Sequence, residues 1–346
     1  WFGAVGHAVR EAHRLGLEIQ VPNCSGYSSS GGPWVKPEQS MKFVAHTETR
    51  ADGPRRFDGV LPAPPNPHGF YADIAVLAFP VPSAEGEPLP SAQGEQTFMG
   101  DTGGTVEFSS SEPFEATGVS FVLTGGGQWN EPARFAVAYS DDGVTWRDGG
   151  ARDFDVRRSG SGPTGRRYYP LDRPIRGKKF RITFSFPPEP TSPGYEPGYV
   201  GRFTVRDAAL ERRAALSDLD GKMFRIRQQI RRDGFPTMPG QVVSLSAVTN
   251  LTHLLTADGR LAWDVPAGRW AILRIGFAAN GERNHPVSGG GSGLEVDKLD
   301  RAALDAHFDA YVEKLCARLG PDLVGQGKSA LSGILVDSYE VGSQNW

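Results

Sequence analysis

Residues 4 to 15 place Val5, Ala8, Val9, Ala12 and Leu15 three or four positions apart, the spacing that gathers apolar side chains on one helical face. Gly16 follows as the C-terminal stop. The next stretch, LEIQVPN, reads as a strand and leads into CSGYSSSGGP, a loop of small residues where a ligand can approach backbone closely. A second unit of the same kind lies near the other end. There Asp300 can cap a helix carrying Leu304, Phe308, Tyr311, Leu315 and Leu319, Gly320 ends it, and the strand GILVD follows. A continuous apolar strand after an amphipathic helix predicts a parallel sheet covered by helices, hence an α/β fold class.

Between these units the pattern changes to alternation. SAEGEPLPSAQGE, residues 83–95, has the composition of a linker. Beyond it GTVEFSS, GVSFVLTG, ARFAVAYS, DGVTWRD and KKFRITFSF read as short strands, with DDG at 141–143 as a hairpin turn. These predict an antiparallel β-sandwich over residues 96–212, inserted into the α/β domain. Residues 213–277 form a β-rich connection whose clearest strand is GRLAWDVPAGRWAILRIGF, and 278–346 return to helix and strand. No solenoid period or heptad run is present.

Composition narrows the chemistry. A chain of 346 residues exceeds what one core usually serves, and 38% hydrophobic with 22% charged residues marks it as globular. A net charge of −3 gives no general attraction to nucleic acid or to acidic membranes, and no apolar run approaches the ~20 residues of a membrane span. The densest basic run, FRIRQQIRR at 224–232, reads as a solvated face. Cys24 and Cys316 match no metal spacing and read as buried free thiols, and no H-x-x-x-H pair favours zinc. The chain opens on Trp1 inside a helical pattern, with no Met and no leader-like segment, so a piece cut from a longer protein is expected.

Three stretches carry candidate chemistry. In VDSYE, Asp337 ends the apolar strand and Glu340 follows in the loop, the place where parallel α/β folds mount reactive groups. Cleaving a glycosidic bond takes a protonated carboxylic acid for the leaving oxygen and a second carboxylate on the anomeric side. Either residue can supply one of these; equally, Asp337 can cap a loop and Glu340 can be solvated. GGGSGLEVDKLD, residues 289–300, joins a glycine run to Glu295, Asp297 and Lys298, which can bind sugar hydroxyls or serve as an ordinary surface loop. Asn23 at its strand end can bind vicinal hydroxyls, and Tyr27 or Trp34 can offer a ring face to a pyranose or anchor the loop by packing.

NCSGYSSSGGPWVKPEQSM, FYADIAVLAFP, WDVPAGRWAILRIGF, GSGLEVDKLDRAALDAHF and VDSYEVGSQNW, in this order, resemble glycoside hydrolase family 106, the α-L-rhamnosidases. The resemblance covers roughly residues 1–80 and 240–346. FAVAYSDDGVTW and KKFRITFSF resemble the galactose-binding-like sandwich found with many enzymes. The family resemblance implies a (β/α)₈ TIM barrel, partial here, with residues 1–82 and 278–346 as its pieces. It implies removal of terminal α-L-rhamnose with inversion, the D-S-x-E glutamate, Glu340, as general acid, and a general base on a later strand outside this sequence. It also implies substrate contacts from Asn23, Glu295 and Lys298, a possible calcium ion to which Glu295, Asp297 and Asp337 could contribute, and a secreted or periplasmic protein. Tyr27 and Tyr339 stand where the family also uses Trp. A carbohydrate-binding protein with an inert barrel, and a barrel glycosidase acting on another sugar, are the alternatives.

Overall fold

The computed structural model describes the chain except residues 29, 82–87, 92, 100–102, 125–131, 156–165, 186–201, 213–241, 288, 326, 328–329, 337–339 and 342–346. Asp337, the basic run at 224–232 and residues 83–87 and 92 of the expected linker therefore lie outside the described residues. The chain divides into two compact units, the first formed by Trp1–Thr47, Ala63–Ala75 and Arg274–Trp346, the second by Glu48–Pro62 and Val76–Leu273.

The strands are β1 Ile19–Pro22, β2 Gly31–Gly32, β3 Lys42–Val60, β4 Tyr71–Pro80, β5 Leu89–Pro90, β6 Gln96–Met99, β7 Gly104–Thr124 and β8 Pro132–Ser140. They continue as β9 Arg147–Asp155, β10 Arg167–Ser185, β11 Arg202–Glu211, β12 Thr249–Asn250, β13 Arg260–Ala279, β14 Leu294–Glu295 and β15 Leu331–Leu335.

In the first unit, helix α1, Phe2–Leu15, stops at Gly16, whose φ of 69° is the left-handed value that glycine accepts without steric cost. A second helix is built from α2, Arg301–Phe308, a π-helical turn at Asp309–Glu313, and α3, Lys314–Leu319. Asp300 caps it, its Oδ1 accepting the N–H groups of Ala302 and Ala303 at 2.9 and 3.2 Å. β1 and β15 pair in parallel, Gln20 with Gly333 and Pro22 with Leu335. Val9 of α1 and Leu315 of α3 pack with Val21, Ala330 and Leu331 into one buried cluster. The helix–strand pattern at both chain ends thus yields the expected parallel pair.

In the second unit a seven-stranded antiparallel sheet runs β5-β11-β7-β10-β8-β9, with β6 also on β11. Its core is aromatic: every pair of rings among Phe121, Phe135, Phe154 and Phe184 lies 5.3 to 6.3 Å apart. Register shifts within β10, at Pro170/Ile175 and Gly177/Lys179, bend the sheet as bulges do.

Several expectations are corrected here. The two strands expected within 104–124 are one, β7. Residues 141–146 form a loop because Asp142 Oδ1 accepts the backbone N–H groups of Val144 and Thr145 and the Ser140 hydroxyl, each at 2.8 Å. Those three bonds hold the Asp142 carboxyl far below the usual carboxylate range. The span 83–95 is not simply a linker, since β5 pairs with β11 and Ser91 N–H donates to the Ala208 carbonyl at 2.9 Å. Nor do residues 42–80 supply barrel elements: β3 and β4 belong to a four-stranded sheet of order β12-β4-β13-β3. Its second-unit core includes Ala51, Leu61, Val76, Leu261 and Ile272. The described chain is therefore predominantly β, and its one parallel strand pair is a fragment of α/β architecture rather than a recognisable (β/α)₈ barrel. No helix among the described residues is long and apolar enough to cross a membrane.

Candidate active site

Because β1 and β15 are parallel, their C-terminal ends open on the same side, and Asn23 N–H extends the ladder by donating to the Leu335 carbonyl at 3.0 Å. The chain then passes through residues 23–30 into β2, which pairs antiparallel with β14, Gly31 opposite Glu295. Glycine is required at this crossing. A Cβ on Gly31 would stand 2.8 Å from the Leu294 carbonyl oxygen, and one on Gly293 would fall on the Gly32 carbonyl. Asn284, buried, ties the neighbouring loops. Its amide donates to the carbonyls of Ser25 and Gly291 at 3.0 Å each and accepts Gly293 N–H at 2.8 Å.

Beneath these loops lies a buried ionic network. Glu295 and Asp297 have no exposed surface. Glu295 Oε1 accepts the Ser28 hydroxyl at 2.7 Å, while Oε2 accepts Ser30 N–H at 3.0 Å and Lys298 Nζ at 2.6 Å. Asp297 Oδ2 accepts Lys42 Nζ at 2.9 Å and Oδ1 accepts Leu299 N–H at 3.0 Å. Two carboxylates thus face two ammonium groups, and removing one member of such a pair costs about 3–5 kcal/mol because its partner is left charged without water. Burial lowers the Lys298 pKa, with the Glu295 carboxylate acting against that shift. Lys298 is the member that reaches solvent, with 20% of its side chain exposed.

Asn23 joins this network through Ser30, and His307 ties Trp34 to Asn23. Trp34 Nε1 donates to His307 Nδ1 at 3.0 Å, and His307 Nε2 lies 3.1 Å from the Asn23 carbonyl oxygen. An indole N–H can only donate, so the imidazole carries its proton on Nε2 and gives it to Asn23. Burial pushes the His307 pKa below its usual value. The Trp34 ring also stacks on Tyr311, 5.7 Å between centroids and 10° from parallel. Asn23 Nδ2 donates to Ser30 Oγ at 2.6 Å.

The structure thus gathers Asn23, Trp34, Glu295, Asp297 and Lys298 in one place, and it adds Ser28, Ser30, Lys42, Asn284 and His307, which the sequence did not single out. Glu340 reaches the same place by its backbone, its N–H donating to the Ser28 carbonyl at 3.4 Å. The Glu340 residue is exposed while its neighbour Val341 is buried. Calcium does not fit Glu295 and Asp297, whose oxygens all face N–H, O–H or ammonium donors, whereas a hard cation needs six to eight oxygens free to coordinate. Among the described residues no three acidic, His or Cys side chains form a metal cluster.

The sequence profile of the α-L-rhamnosidases, glycoside hydrolase family 106, matches residues 1–346. The chain belongs to this family. It superposes over its whole length on 34% of a solved rhamnosidase from Novosphingobium sp. PP1Y, with 26% identity and a TM-score of 0.75. It is also 26% identical, again over its whole length, to 19% of a Formosa agariphila protein named "Putative beta-glucuronidase". It therefore spans about a third and about a fifth of these two relatives.

Proposed function

We propose that the full-length protein is a glycoside hydrolase that removes terminal α-L-rhamnose with inversion, with Glu340 as general acid. One observation carries this reading: Glu340 is exposed at the C-terminal edge of the parallel pair, held between a backbone bond to Ser28 and the buried Val341. That arrangement fixes the backbone of a carboxyl group that must meet a leaving oxygen within about 2.6–3.2 Å. Asp337 is the second carboxylate of the motif and the next candidate. The family resemblance puts the general base on a later strand, where inversion would need its carboxyl about 6.5–9.5 Å from the acid with a water between sugar and base. Lys298 and Asn23 are placed to bind sugar hydroxyls, and Trp34 to back them. The fully buried Glu295 serves by holding Lys298, and Asp297 holds Lys42 beside it. α2 exposes Leu304 and Phe308 on one face, and β15 ends in the exposed Leu335, apolar surface that the rest of a (β/α)₈ barrel would cover. In this reading the seven-stranded sheet is a galactose-binding-like module.

Leaving-group dependence tests the assignment. An alcohol needs a proton as its bond breaks, whereas a low-pKa phenolate leaves without one. Glu340→Gln is expected to cut kcat/KM for alkyl or natural rhamnosides by about 10²–10⁴ and that for an activated aryl rhamnoside much less. Equal losses together with a lowered Tm would remove Glu340 from the acid role. The name of the Formosa relative gives a specific reason to run an aryl β-glucuronide beside the aryl α-L-rhamnoside: preferential cleavage of the glucuronide would replace the sugar assignment while leaving the acid in place.

A further inference from the structure

We propose that Glu295 is a positioning residue for Glu340 and acts through Ser28. This rests on the reading of Glu340 as the general acid. Glu295 has no exposed surface, and both its oxygens are engaged by Ser28 Oγ, Ser30 N–H and Lys298 Nζ. It cannot reach a sugar without giving up that set. Ser28 is also fully buried, and its three contacts converge from separate parts of the chain. Its hydroxyl donates to Glu295 at 2.7 Å and accepts His285 N–H at 2.9 Å, while its carbonyl accepts Glu340 N–H at 3.4 Å. A buried carboxylate thus pins one serine side chain, and the main chain of that serine holds the segment bearing the acid.

The chemistry of the carboxylate explains why an acid is used. Both of its oxygens accept, so it can hold a hydroxyl, a backbone N–H and an ammonium together. A glutamine would turn one of those oxygens into a donor and oppose donor with donor. With Ser28 released, the 3.4 Å bond to Glu340 N–H loses its fixed end, and a displacement of about 1 Å at a reacting group can cost roughly 10²-fold in rate. The effect of releasing Ser28 must fall on proton donation and not on sugar binding.

The test uses Ser28→Ala and Glu295→Gln in the full-length enzyme, assayed on an alkyl rhamnoside and on an aryl rhamnoside of low leaving-group pKa. Ser28→Ala is expected to lower kcat on the alkyl substrate by about 10–10². KM should stay unchanged and the aryl substrate should be nearly unaffected. Placed in a Glu340→Gln background, Ser28→Ala should add no further loss, since a residue acting through the acid has nothing left to position. Glu295→Gln should repeat the kcat loss and its leaving-group dependence, with a rise in KM on both substrates because it also releases Lys298, and if it fails to fold, Ser28→Ala carries the test alone. In Ser28→Ala, a raised KM on both substrates would show direct sugar binding, and losses that add to those of Glu340→Gln would show a merely structural role; either overturns the proposal. If Glu340→Gln itself shows no leaving-group dependence, the acid assignment has failed and the positioning role falls with it. A dependence in Glu340→Gln without one in Ser28→Ala removes the positioning role alone.

Discussion

His307 meets one donor, the Trp34 N–H, and one acceptor, the Asn23 carbonyl, in an order that only the neutral ring satisfies. Protonating Nδ1 would set an N–H against the Trp34 N–H, while Glu295 and Lys298 act on the ring from further away with opposite signs. Because burial lowers its folded pKa below that of the unfolded chain, the unfolded state takes up the proton first as pH falls. The stability His307 contributes is therefore full above about pH 6.5 and is lost below it. Thermal unfolding between pH 7.5 and 5.5 checks this. His307→Gln should have the lower Tm at pH 7.5 and a shallower decline on acidification than the native protein, and parallel declines would contradict it. His307 was illegible in the sequence for the same reason as Ser28. A lone histidine or serine acquires meaning only from partners such as Trp34 and Glu295, 273 and 267 positions away. Glu295 and Lys298 were legible because charge beside a glycine run is locally unusual, yet nothing local told that they would pair with each other.

At the scale of elements, local signals were read well and distant ones poorly. Gly16 and Asp300 act on their own helices, so α1 and α2 could be bounded from sequence. β3 could not, since HTETRADGPRR alternates weakly and its place depends on β13. The buried residues Ala303, His307, Tyr311 and Leu315 recur every fourth position. In a pure α-helix of 3.6 residues per turn that pattern would drift about 40° at each step. The π-helical turn at Asp309–Glu313 takes up an extra residue and returns Leu315 to the core while His307 keeps its place under Trp34. Asp300→Ala removes both capping bonds and should cost about 1 kcal/mol in denaturant unfolding, with Asp300→Asn near neutral. An unchanged midpoint in the alanine variant would show the cap to be dispensable.

For the molecule as a whole, the seven-stranded sheet has the means to fold by itself. Its buried cluster draws only on residues between Phe98 and Leu210, with Leu89 packed against it. An excised 96–212 segment lacks β5 and the Ser91 bond to Ala208, and an 88–212 segment keeps them. The longer segment should unfold cooperatively by circular dichroism and at the higher Tm. Equal Tm values would mean that β5 contributes nothing, and an unfolded 88–212 would mean that the sheet depends on the remaining chain. The helix–strand units at the two ends were legible because their signals are local, while the strands of residues 42–80 declare their partners only in space.

The pairing of Ile19 with Leu331 has a consequence in time. During synthesis at about 5–20 residues per second, β1 leaves the ribosome about 15–60 s before β15 exists. The seven-stranded sheet can complete itself in that interval and shorten the loop that must close. β1 has no such recourse. For that interval its β15-facing edge is open to any other extended chain, so the pace of translation bears on how much of this protein reaches its fold.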